Sequence, residues 1–90
     1  MADLDTIKRT PCDQYLLSRG IEPKSTRGKS WKYFSPWRGE SVPSLHVYPE
    51  SNTWRDYGDG ISGDVISLCM KVEGVGFAEA CKILSGKEKY

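Results

Sequence analysis

Two pairs of polar residues carry the chemical interest of this 90-residue chain. Ser35 and Arg38 stand three apart around Pro36, and Asp56 and Asp59 stand three apart in a glycine-rich turn. Two such pairs separated by about one hairpin are the layout of a metal ribbon, yet neither contains Cys or His. Arg cannot ligate zinc, and structural zinc sites take Cys and His. The guanidinium of Arg38 does suit carboxylates, so an Arg–Asp network with a hydroxyl from Ser35 is one reading. The other is that Asp56 and Asp59 are turn residues and Arg38 a solvated side chain. A magnesium or calcium site on Asp56 and Asp59 alone has too few oxygens.

The second chemical pattern is basic and aromatic. Residues 24–55 carry Lys24, Arg27, Lys29, Lys32, Arg38 and Arg55 against only Glu40 and Glu50, although the net charge is +1. Trp31, Tyr33, Trp37, Tyr48, Trp54 and Tyr57 interleave with those bases. Single-strand binders combine a basic groove with aromatic rings on which bases stack. The candidates for phosphate contact are Arg27, Lys29, Lys32 and Arg55, and those for stacking are His46, Tyr48 and Tyr57. Trp31, Phe34 and Trp54 read as core.

The elements that must position these residues follow from periodicity. Thr10-Pro11-Cys12-Asp13 opens a helix, with Thr10 as the expected cap and Gly20 as the stop. Strands are expected at Trp31–Ser35, Ser44–Tyr48 and Thr53–Tyr57, the last two joined by the Pro49–Asn52 turn. Alternation puts Leu45 and Val47 on one face and His46 and Tyr48 on the other. Ser62 is the expected cap of a helix carrying Val65, Leu68, Cys69 and Val72. Phe77, Ala80, Cys81 and Leu84 repeat the same spacing before Gly86. The fold class is therefore α+β: a small three-stranded antiparallel sheet with one N-terminal and two C-terminal helices. One domain is expected over residues 1–90, with its core between about 10 and 85 and a polar tail at 86–90.

The remaining features exclude more than they propose. The three cysteines, Cys12, Cys69 and Cys81, have no C-x-x-C spacing and no secretory context, so they read as small buried hydrophobes rather than as partners of His46 in a zinc site. No apolar run approaches a membrane span, and the N-terminus has no apolar signal region. A cytoplasmic monomer is expected. No Ser-His-Asp set, Walker loop or dinucleotide fingerprint is present, and Gly58–Gly63 reads as a tight turn, not an anion cradle.

The middle of the chain resembles the N-terminal zinc-binding domain of bacterial DnaG-type DNA primases. The residues that carry this are Ser35-Pro36-Trp37-Arg38, then Glu40-Ser41-Val42-Pro43-Ser44-Leu45-His46-Val47, then Trp54-Arg55-Asp56-Tyr57-Gly58-Asp59-Gly60, and Gly63-Asp64-Val65-Ile66. The flanking helices fit as well. The resemblance implies a zinc-ribbon-like fold and a non-catalytic role in contacting single-stranded DNA template, with polymerisation left to a separate Toprim catalytic domain. It also implies that the family's Cys, His, Cys and Cys ligands fall on Ser35, Arg38, Asp56 and Asp59, so no cofactor is expected here. The competing expectation is a docking module for a replicative helicase or for a Toprim domain of the same polypeptide.

Overall fold

The computed structural model describes residues 4–37, 39 and 43–85. Arg38, Glu40, the Ser41–Val42 part of the resemblance, Gly86 and the expected tail lie outside the described residues.

A two-residue alternation builds the sheet. Strands β1 (Trp31–Tyr33), β2 (Leu45–Tyr48), β3 (Thr53–Asp56) and β4 (Ile61–Gly63) form an antiparallel meander in chain order. Tyr33, Leu45 and Asp56 line up across one face, as do Trp31, Val47, Trp54 and Gly63. Of these, Tyr33, Leu45, Val47, Trp54 and Asp56 are buried. Period-two geometry then sends Lys32, His46, Arg55 and Ser62 to the opposite face. The fourth strand departs from the three expected. Ser62 belongs to β4 and pairs with Arg55 rather than capping a helix. A three-residue edge strand holding a serine and a glycine has no readable alternation, which is why only pairing with β3 reveals it.

Among the described residues there are four helices on the inner side of the sheet: α1 (Leu4–Lys8), α2 (Cys12–Ser18), α3 (Val65–Glu73), which packs on the strands, and α4 (Phe77–Ser85). The short α1 precedes the expected helical region. Helix α3 packs on β3, β4, α1, α2 and α4. Its cap is Asp64, whose carboxylate accepts the Ser67 N–H at 3.0 Å. Asp64 also receives the Trp54 indole N–H on its carbonyl at 2.7 Å, which ties β3 to the start of α3. Opposite Trp54, Gly63 leaves room for this crossing: a Cβ there would press on the Ser67 side chain. The stripe on α3 buries Val65, Leu68 and Cys69 as expected, and Ile66 in addition. On α4 only Ala80 is buried, while Phe77 is 54% exposed. Trp54 is core, but Trp31 and Phe34 are only half-buried, with the Lys24 ammonium over the Phe34 ring.

Helix α2 ends as expected, in a Schellman motif with Gly20 at positive φ and the Ile21 N–H on the Leu16 carbonyl. Its start differs. Pro11 holds the cap position and makes no side-chain cap bond, and Thr10 does not cap. The orphan N–H of Cys12 donates instead to Asn52 Oδ1 at 2.8 Å, from the β2–β3 turn. Asn52 Nδ2 donates to the carbonyls of Lys8 and Thr10. One side chain thus braces the hairpin against both N-terminal helices. Asn52 also takes positive φ, at 55°, which Asn tolerates better than most residues. Asn52→Ala, which loses the bonds and strains the turn, should cost about 2 kcal/mol in urea unfolding. Asn52→Gly, which relieves the backbone, should cost less.

Candidate nucleic-acid interface

Asp56 closes β3 on the buried side of the sheet and is 0% exposed. A carboxylate taken out of water needs hydrogen bonds to its charged form. Ser35, also buried, donates its hydroxyl to Asp56 Oδ2. The backbone N–H groups of Gly58 and Asp59 donate to Asp56 Oδ1 at 2.8 and 3.1 Å. Asp59 is exposed and accepts the Trp37 indole N–H at 2.8 Å. Trp37 in turn stands edge-on to Trp54, with centroids 5.7 Å apart, and lies under the Lys71 ammonium. Ser35, Asp56 and Asp59 are therefore brought together, with Trp37 as a member that residue spacing did not single out. Its only signal was an indole donor inside the first polar pair.

The other face carries the basic and aromatic candidates. Lys32, His46, Arg55 and Ser62 form a row with one residue from each strand. Beside it, Tyr48 and Tyr57 share a hydroxyl–hydroxyl hydrogen bond of 2.7 Å. That bond, reinforced by partial burial, holds the Tyr48 phenol further from ionisation. His46 meets the Tyr57 ring edge-on at 4.7 Å, and the Arg55 guanidinium lies 5.2 Å over the same ring. Tyr57 remains 55% exposed all the same. Arg27 and Lys29 sit in the exposed turn before β1, outside the row. Lys29 lines a separate hollow of about 250 Å³ with Trp31, Pro49 and Glu50.

The cysteines and His46 do not converge. Cys12 and Cys69 are in the core under the sheet, whereas His46 is on the outer face. Burial, then the nearby carboxylates of Asp64 and Asp13, push the Cys12 thiol up to about 12, far from the thiolate that ligates metal. Among the described residues, no group of three or more His, Cys, Asp and Glu side chains gathers as a metal set. Among the described residues, the donors at the matched positions are the Ser35 hydroxyl and the Asp56 and Asp59 carboxylates, and the Asp56 oxygens already accept hydrogen bonds from Ser35, Gly58 and Asp59. These residues do not supply the Cys/His chemistry of a structural zinc. Among the described residues no helix is long and apolar enough to cross a membrane.

A meander whose inner face is packed by helices, and two of whose three inter-strand loops meet at one polar hub, is the architecture of a ribbon-type α+β module. The family model of the CHC2 zinc finger, the zinc ribbon of DnaG, matches residues 13–90, and the chain belongs to this family. It is 38% identical over 70 residues to a DNA primase of Mycolicibacterium smegmatis, a match covering 78% of this chain and 11% of that protein. With a DNA primase of Chlamydia trachomatis it shares 33% identity over 84 residues, covering 93% of this chain and 14% of that protein. A crystal structure of the zinc-binding and RNA polymerase domains of Aquifex aeolicus primase superposes with a TM-score of 0.77. That match, at 22% identity, covers 97% of this chain and 21% of the other, and it shows the shared fold. The chain thus spans only about 10–14% of the length of its curated relatives.

Partial burial and then the Lys32 ammonium lower the pKa of His46 below 6.5, against an opposing pull from Asp56. The folded protein therefore binds fewer protons at His46 than the unfolded chain does, and stability should fall as pH drops below about 6.5. Lys32→Ala should raise the imidazole titration midpoint followed by NMR. An unmoved midpoint would show that Lys32 does not act on the ring.

Proposed function

We propose that this chain is a non-catalytic module of a primase-like replication protein that contacts single-stranded DNA template through its outer sheet face. The cross-strand row of Lys32, His46 and Arg55 flanked by Tyr48 and Tyr57 carries this reading. Lys32 and Arg55, two strand separations of roughly 4.8 Å apart on either side of His46, can meet phosphates of one strand while adjacent rings take bases. Arg27 and Lys29 extend the positive surface from the neighbouring turn. The relatives named DNA primase support the replication setting. With a net charge of only +1, affinity rests on this local cluster and is modest at physiological salt. A 12-mer or similar single strand should bind, in fluorescence anisotropy, more tightly than duplex, and binding should weaken as salt rises. Lys32→Ala should reduce the salt slope by about 0.7, the loss of one phosphate contact on a single strand.

The same module holds its ribbon without resident zinc. Ser35, Asp56 and Asp59 occupy the positions that the family resemblance assigns to ligands, together with Arg38, and their oxygens are engaged in the hub around Asp56. Thermal unfolding should give the same midpoint with chelator and with added zinc, and elemental analysis should find no bound metal. A fall in midpoint on chelation would establish a resident metal and overturn this part of the reading.

A docking module for a helicase or a Toprim catalytic domain is the second reading. It is favoured by Leu4, Leu17 and Phe77, which are exposed on α1, α2 and α4. Docking through these residues would be insensitive to salt, unlike template binding.

A further inference from the structure

We infer that the hollow over β3 and β4 is a subsite for one unstacked nucleotide of a single DNA strand, with Tyr57 as its stacking platform; this rests on the nucleic-acid reading above. The hollow measures about 440 Å³ and is lined by Tyr48, Thr53, Arg55, Tyr57 and Ser62, among others. That volume lies in the range of small-ligand pockets, about 300–1,000 Å³. Its lining offers hydroxyls and one guanidinium, and no carboxylate among the described residues, so a phosphate meets no like charge there.

Tyr57 has an unusual combination of exposure and restraint. More than half exposed, it is nonetheless held by the Tyr48 hydroxyl, by the His46 ring edge and by the Arg55 guanidinium. A ring held in place before binding loses little freedom when a base stacks on it. Arg55 sits both against that ring and in the basic row, so it can pair with the phosphate of the nucleotide whose base enters the hollow. Thr53 and Ser62 flank Arg55, one along its own strand and one across the pair, and place hydroxyls for the base edge. His46 acts through Tyr57 and is a positioning residue.

The test is anisotropy with a short fluorescein-labelled oligothymidylate and the 90-residue chain, at two salt concentrations. Tyr57→Leu should weaken binding about ten- to a hundredfold, the loss of one base stack, while leaving the salt slope unchanged. Tyr57→Phe, which loses only the hydroxyl, should retain most of the affinity. A single abasic nucleotide walked along the strand should reproduce the loss at one position. If Tyr57→Leu binds like the parent and no abasic position matters, while binding still depends on salt, the subsite is overturned and a phosphate-only interface stands. If the parent chain binds no single strand at all, the nucleic-acid reading and this inference fall together.

Discussion

The buried carboxylate of Asp56 is the constraint around which the sheet end is organised. An ion removed from water costs several kcal/mol unless donors surround it. Here the donors come from the loop after β1, through Ser35, and from the turn after β3, through Gly58 and Asp59. Satisfying one side chain therefore fixes two loops relative to each other, which is the task a metal performs in a ribbon. The Trp37 bond to Asp59 joins the same two loops again, at the surface.

A hydrogen-bonded hub is weaker than a metal. A structural zinc contributes apparently on the order of 10–16 kcal/mol, against about 1.5–3 for each hydrogen bond to a charged group. Other side-chain ties brace the rest of the fold. Trp54 joins β3 to α3 through Asp64, Asn52 joins the hairpin to α1 and α2, and Tyr15 and Arg19 both reach Glu73 to close α2 on α3. These ties connect elements distant in sequence, so each removes freedom that the core alone would leave.

The strand that carries the hub also carries the candidate interface. Along Arg55, Asp56 and Tyr57 the side chains alternate out, in and out. Fixing Asp56 in the core thus sets the height and angle of Arg55 and Tyr57 on the opposite face. The cost of burying one carboxylate is coupled to the preorganisation of an exposed cation and an exposed ring, with β-sheet periodicity as the only mechanism needed.

Much of this was legible in the residues themselves. Strand periodicity placed Leu45 and Val47 inward and His46 and Tyr48 outward, the Gly20 stop was readable, and the spaced motif from Ser35 to Ile66 pointed to the family. These are local or pairwise signals, set by a period or by the φ range of glycine. The strand β4, the cap from Asp64 rather than Ser62, and the exposure of Phe77 were not readable, because each depends on which neighbour arrives. Asn52 is the clearest case: a turn residue by composition, it caps a helix forty residues away. Sequence alone determined which faces are apolar and which residue types sit in the two loops. Only the tertiary structure decided that Ser35 meets Asp56 and that Lys32, His46 and Arg55 share a row. Register across strands is set by the summed burial of the whole inner face, and no single segment contains it.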